Sequence, residues 1–97
     1  MTKMYDNVWD ALESDPVLRD NLKVRSRLLT EISTAIENSG ETQTKIAQKL
    51  NISQPRVSAL MKGKITKFSV DNLMAIAYKL GLSIEIKVKD NHDVIAA

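Results

Sequence analysis

QTKIAQKLNISQPRVSALMK, residues 43–62, carries the strongest structural signal in this 97-residue chain. Its apolar residues recur at helical spacing on both sides of Asn51-Ile52-Ser53. This pattern predicts two short helices, over 43–50 and 54–62, joined by a three-residue turn. Such a pair can cross at a steep angle only if several steric demands are met together.

The residues of this segment meet those demands. Ala47 is small and lies on the first helix where the second helix must approach closely. Asn51 is the best non-glycine choice for a turn residue with positive φ, and Ser53 can cap the second helix. An ordinary helical hairpin would meet only some of these demands by chance, so the pattern favours a helix-turn-helix. The apolar residues predicted to share its core are Ile46, Leu50, Ile52, Val57 and Leu60.

Three further helices are predicted around this pair. Apolar residues recur at helical spacing over 4–14, 16–38 and 70–80. Pro16 suits the first turn of a helix, and Ser69 can cap the last one. The predicted fold is therefore all-α, with five helices.

The pattern changes after the last helix. Residues 83–89, SIEIKVK, alternate apolar and polar side chains, which predicts a half-buried strand. A lone strand cannot satisfy its backbone groups, and no second strand is evident in the sequence. We favour antiparallel pairing with the same strand of a second copy, with Ile84, Ile86 and Val88 as its apolar face. Pairing with an irregular N-terminal segment of the same chain is the alternative.

The predicted organisation is one domain with short appendages. A chain of this length buries a modest core, so dimerisation would add useful burial. The predicted parts are an N-terminal helical extension at 1–20, a helix-turn-helix domain at 21–82, a dimerisation strand at 83–90 and a tail at 91–97.

Basic charge is concentrated in one part of the chain. Residues 41–67 hold six basic residues against Glu41 alone, a net charge of +5, whereas the whole chain carries +2. A lysine-rich helix face is usually only solvated, but a concentration of this kind is also the footprint of a surface held against phosphates. Nucleic acid is therefore a candidate partner.

The chemistry of an enzyme site is missing from the sequence. There is no cysteine, and His92 is the only histidine, so a metal site or a nucleophile–base pair lacks its parts. The acidic N-terminal residues are better explained as a solvated face than as an acid–base pair. We expect no enzymatic activity, no metal and no cofactor. The absence of cysteines, of a signal peptide and of a membrane span predicts a cytoplasmic protein.

Residues 43–62 resemble the helix-turn-helix of the XRE/Cro type of bacterial and phage repressors. Residues 23–86 are similar, more narrowly, to the XRE-like subfamily found among HigA-type antitoxins. The matching features are K-x-R-S-x-L at 23–28, T-Q-x-x-I-A-x-x-L-x-I-S-Q-P-R-V-S-x-L-x-x-G-K at 42–64, F-S-x-D-x-L at 68–73 and the closing L-G. The resemblance covers about two thirds of the chain. It implies a lambda-repressor-like domain that binds double-stranded DNA.

In that family the second helix enters the major groove with its N-terminus first. The base-reading candidates are Gln54, Pro55, Arg56 and Ala59. Glutamine can pair with adenine and arginine with guanine, although a phosphate clamp is the alternative role of Arg56. A dimer would place two such helices about 34–36 Å apart, which predicts an inverted-repeat operator. The candidates for contacts with the DNA backbone are Gln43, Thr44, Lys45, Ser53, Ser58, Lys62, Lys64, Thr66 and Lys67.

The resemblance also implies a protein partner. Antitoxins of this kind hold a basic toxin of the RelE/HigB-like type, and Tyr5, Trp9 and Leu12 lie in an acidic N-terminal stretch that could contact it. Packing of Trp9 on its own domain is the alternative. Two other functions stay open. The protein could be a stand-alone XRE-family or phage-type repressor without a toxin, or a protein-interaction module that no longer binds DNA.

Overall fold

The computed structural model describes residues 14–90, and every regular element within that range is helical. The predicted all-α fold with a helix-turn-helix is therefore confirmed for these residues. The predicted helix at 4–14 and the tail at 91–97 fall outside them, apart from Ser14. The elements are α1 (Pro16–Ser39), α2 (Gln43–Leu50), α3 (Gln54–Met61), a short 3₁₀-helix (Ile65–Lys67) and α4 (Val70–Lys79).

Local hydrogen bonds explain where each α-helix begins. The residue before each helix has extended backbone, and its side-chain oxygen accepts a backbone N–H of the first turn. Pro16 and Pro55 lie in first turns, where a missing N–H costs no intrahelical bond. The predicted caps at Thr42, Ser53 and Ser69 are confirmed. The bonds run to Asp15 from Val17 (3.0 Å), to Thr42 from Lys45 (3.2 Å), to Ser53 from Arg56 (3.2 Å) and to Ser69 from Asn72 (3.0 Å).

The turn between α2 and α3 depends on Asn51. Its φ of 57° and ψ of 45° place it in the left-handed region, as the sequence predicts. This conformation lets the N–H of Ile52 donate to the carbonyl of Ala47 at 3.0 Å, which closes α2. Lys79 of α4 donates to the Leu50 carbonyl at 2.9 Å, so a second element also holds the turn.

Substitution of Asn51 tests this turn. Asn51→Ala is expected to lower the free energy of unfolding by about 1–2 kcal/mol, because a Cβ without a compensating polar group disfavours positive φ. Asn51→Gly is the matched control, since glycine adopts this conformation freely, and we expect it to stay close to wild type. Urea unfolding followed by circular dichroism measures both. Equal stability of the alanine and glycine variants would contradict the assigned role.

The helices enclose one hydrophobic core. α1 packs mainly against α4, and α2 packs against α3. The predicted inward residues of the helix-turn-helix are confirmed as members of this core, with Ile52 partly buried at its edge. Among residues 14–90, no helix is long and apolar enough to cross a membrane. The residues that are fully buried and largest are Phe68, Ile32, Ile46, Leu50, Leu60, Leu73 and Val57.

The segment after α4 leaves the core progressively. Ile84 is partly buried against the core, whereas Ile86 is 76% exposed and Val88 is 87% exposed. No strand occurs among residues 14–90, so the predicted strand at 83–89 is not seen in this part of the chain. The alternative partner, an irregular N-terminal segment, falls mostly outside the described residues. Pairing across a dimer stays a prediction. The predicted domain boundary between residues 20 and 21 falls inside α1, which is continuous there.

Candidate nucleic-acid interface

One face of α3 is left open to solvent. Val57 and Leu60 are fully buried, while Gln54 and Pro55 are exposed on the other side of the helix and Ser58 is partly exposed. Successive residues of an α-helix are about 100° apart, so Gln54, Ser58 and Lys62 fall within a stripe about 80° wide. We call Gln54, Pro55, Ser58 and Lys62 the reading face.

The reading face begins at the N-terminus of α3, which is the end that would enter a DNA groove. The Ser53 hydroxyl oxygen accepts the N–H of Arg56, which fixes the first turn, and its own hydrogen is left to donate to a phosphate. Gln54 follows directly, with a side chain that can donate to and accept from a base edge. A helix presented in this way can place its first residues in a major groove.

Arg56 lies away from the reading face. It is two residues from Gln54 and therefore about 200° around the helix, so the two side chains cannot point the same way. One guanidinium nitrogen of Arg56 donates to the carbonyl of Lys67 at 3.0 Å, and the group lies 4.3 Å from the ring centre of Phe68. Arg56 therefore does not lie on the reading face in this structure, and its predicted roles, base reading or a phosphate clamp, stay predictions.

Ala59 lies at the border of the core, and its predicted contact with a base stays a prediction. Its residual exposure is 9%, and it belongs to the hydrophobic core. The reason is again its phase on the helix, because Ala59 lies about 40° beyond Pro55 around the helix, on the side that meets the core. Of the four predicted base-reading residues, Gln54 and Pro55 lie on the reading face, together with Ser58 from the predicted backbone set, and the role of each stays a prediction.

Seven of the nine predicted backbone contacts fall into two exposed groups, one before the reading face and one that begins at its last residue, while Ser53 and Ser58 lie at and near the start of α3. Gln43, Thr44 and Lys45 are exposed in the first turn of α2, which Thr42 caps. The second group follows α3 in the segment 62–68, which we call the basic loop. Its exposed members are Lys62, Lys64, Thr66 and Lys67.

The lysines of the basic loop are free to meet phosphates. The ion pairs among residues 14–90 join Arg19 to Asp20 and Arg27 to Glu31, both on α1. The loop lysines take part in neither pair. A surface with exposed, unneutralised cations next to an exposed helix face is suited to phosphate contacts that position the protein on a duplex.

Two residues of this region were missed from sequence. Arg25 of α1 donates to the carbonyl of Ile65 at 3.4 Å and to the side-chain oxygen of Asn21 at 2.6 Å. Phe68 is 1% exposed and closes the basic loop against the core. Both lie within residues 23–86, which resemble the XRE family. The contact between Arg25 and Ile65 joins residues forty positions apart, so no short stretch of sequence could have indicated it.

Comparison with known proteins agrees with this geometry. A family model described as a helix-turn-helix domain matches residues 14–89. A solved structure described as an XRE family transcriptional regulator is similar at 31% identity with a TM-score of 0.68, over 73% of this chain and 80% of that one. No curated protein matches the chain.

Proposed function

We propose that this chain, which belongs to the XRE helix-turn-helix family and is a DNA-binding transcriptional regulator, is a homodimeric repressor. We propose further that it binds a specific operator and serves as an antitoxin. The observation that carries the DNA-binding part is the exposed reading face of α3 beside unpaired lysines of the basic loop. We propose that the protein binds and does not catalyse, and that it needs no cofactor or metal.

Binding to DNA is tested with sequences selected from a random pool of duplexes by the wild-type protein. A preferred sequence should emerge, and it should be an inverted repeat whose half-sites are about 34–36 Å apart. Fluorescence anisotropy with this duplex and a scrambled duplex should give a higher affinity for the selected one. Enrichment of no sequence, or equal affinity for both duplexes, would contradict operator-specific binding.

The exposed segment after α4 supports the homodimer. Residues 82–87 line a groove together with Val24, Leu28 and Met74, and the side chains of Ile86 and Val88 are largely exposed. Antiparallel pairing of residues 83–89 about Ile86 would place Ile84 opposite Val88 of a second copy. It would also place Glu85 opposite Lys87. Apolar and oppositely charged cross-strand pairs are the ones that stabilise such a ribbon.

Ile86→Asp is expected to turn the dimer into a monomer, because it places two carboxylates opposite each other at the two-fold axis. Sedimentation velocity measures the change. Val17→Asp is the matched control, since Val17 is also an exposed apolar residue but lies at the start of α1. A charge exchange tests the register. Glu85→Lys alone should weaken the dimer, and adding Lys87→Glu should restore it. A monomeric wild type, or no rescue, would contradict this pairing.

The antitoxin role has support from the sequence. Residues 23–86 resemble HigA-type antitoxins, and residues 1–20 hold five acidic residues around Tyr5, Trp9 and Leu12, which lie outside the described residues. This stretch is suited to a basic RelE/HigB-like toxin by charge complementarity. We propose that the protein represses its own operon and neutralises such a toxin in the cytoplasm.

The adjacent gene decides between the antitoxin and a stand-alone repressor. A small basic protein encoded there should copurify with this chain after coexpression, and its toxicity to growth should disappear. Trp9→Asp should weaken the complex without changing affinity for the operator duplex. Absence of any such gene, or of a complex with its product, would favour the stand-alone XRE-family or phage-type repressor.

A further inference from the structure

Two arginines hold the basic loop from opposite sides. Its centre is the 3₁₀-helix Ile65–Lys67, in which the Ile65 carbonyl accepts the N–H of Phe68 at 3.4 Å and the Lys67 carbonyl has no partner inside the helix. Arg25, from α1, donates to the carbonyl of Ile65, the first residue of that helix. Arg56, from α3, donates to the carbonyl of Lys67, the last residue. The loop conformation therefore depends on side chains from both neighbouring helices.

Phe68 supplies the second contact of Arg56. The ring is buried in the core, and the guanidinium group lies over it at 4.3 Å from its centre. A cation over an aromatic face is attracted by the ring quadrupole, and more strongly where water is partly excluded. Arg56 is only partly exposed, so this contact and the bond to Lys67 together direct its side chain toward the loop.

The position of the loop decides where its lysines lie. Lys62 ends the reading face, and Lys64 and Lys67 follow within five residues. All three side chains are exposed. A loop fixed against α3 holds these charges at set distances from Gln54 and Ser58, whereas a loop released from α3 would have to be ordered again on binding, at an entropic cost.

We propose that Arg56 is a positioning residue, which fixes the basic loop against α3 so that its lysines meet the DNA backbone while Gln54 and Ser58 face the bases. This inference rests on the proposed binding to DNA. Phosphate contacts carry no base sequence information, so loss of Arg56 should weaken binding to every duplex by the same factor. A residue that reads guanine would instead lose affinity only for the selected sequence.

A double-mutant cycle tests the proposal. Arg56→Met keeps an apolar stem over the ring but removes the donor and the charge, and Phe68→Leu removes the ring while keeping an apolar residue in the core. Each single variant should weaken binding to the selected and the scrambled duplex equally. Each should also make binding less sensitive to salt. The magnitude of the slope of log Kobs, the observed association constant, against log salt concentration should fall by about one for every phosphate that the lysines no longer reach. The double variant should bind hardly more weakly than either single variant, because both act on one contact.

Arg19→Met is the charge control, since it also removes one arginine charge but lies at the start of α1. It should leave affinity and slope close to those of the wild type. Circular dichroism and urea unfolding establish which variants are folded under the binding conditions. If Phe68→Leu does not fold, Arg25→Met replaces it, since it frees the other end of the loop and should give the same changes.

Three results would overturn the proposal. Additive losses, with a wild-type salt slope in Phe68→Leu, would mean that Arg56 itself contacts a phosphate. A loss confined to the selected duplex would mean that Arg56 reads a base. Failure of the wild type to bind any duplex would contradict both the proposed DNA binding and this inference. This outcome differs from the other two because it is seen with the wild type, before any substitution is made.

Discussion

Leu50→Ala is expected to lower the free energy of unfolding by about 2–5 kcal/mol, the usual range for removing a fully buried leucine side chain. Leu50 has no exposed surface and is the last residue of α2, directly before the turn. Its side chain belongs to the core shared with α3, so its loss leaves a cavity where the two helices meet. Small domains are stable by only about 5–15 kcal/mol, so a large share of the protein's stability would disappear.

Urea unfolding followed by circular dichroism at several protein concentrations measures this effect, since a dimer would add a concentration-dependent contribution. Gln48→Ala is the matched control, because Gln48 lies on the exposed side of the same helix and the substitution introduces the same residue. It should change the free energy of unfolding by no more than about 0.5 kcal/mol. A cost for Leu50→Ala below about 1 kcal/mol would contradict the assigned packing.

The elements that could be predicted from the sequence depend on short-range contacts. Thr42 and Ser53 each bond a backbone N–H three residues away, and the left-handed Asn51 bonds back within one turn. Such signals lie inside one window of sequence, so α2 is predicted with its observed bounds and α3 to within one residue. The inward residues follow from the helical period in the same way.

The sequence motif is less informative about which way side chains at the border of the core point. Arg56 and Ala59 are three residues apart and lie on the same flank of α3, between the buried face and the reading face. Helical phase alone separates Arg56 from Gln54, so the different directions of these two side chains could have been predicted from the sequence. The contact of Arg56 with Lys67 and Phe68 could not, because it depends on how the basic loop folds back after α3. The alternation at 83–89 likewise indicates a strand without indicating its partner.

Gln54→Ala should produce the largest loss of operator affinity among single substitutions on the reading face. A bidentate contact between glutamine and adenine is worth about 1–3 kcal/mol. A homodimer loses this contact in both half-sites, so the expected loss is about 2–6 kcal/mol, which corresponds to more than about tenfold in Kd. Gln54 is exposed in the first turn of α3, and its removal should leave the free energy of unfolding almost unchanged.

Fluorescence anisotropy with the selected and the scrambled duplex separates this effect from a general loss of binding. Gln54→Ala should lose affinity for the selected duplex and keep the wild-type affinity for the scrambled one, with an unchanged salt slope, because phosphate contacts are untouched. Gln48→Ala again serves as the control, since it removes the same side chain from the exposed side of α2. An equal loss on both duplexes would assign Gln54 to the DNA backbone. Base recognition would then have to come from other residues of α3.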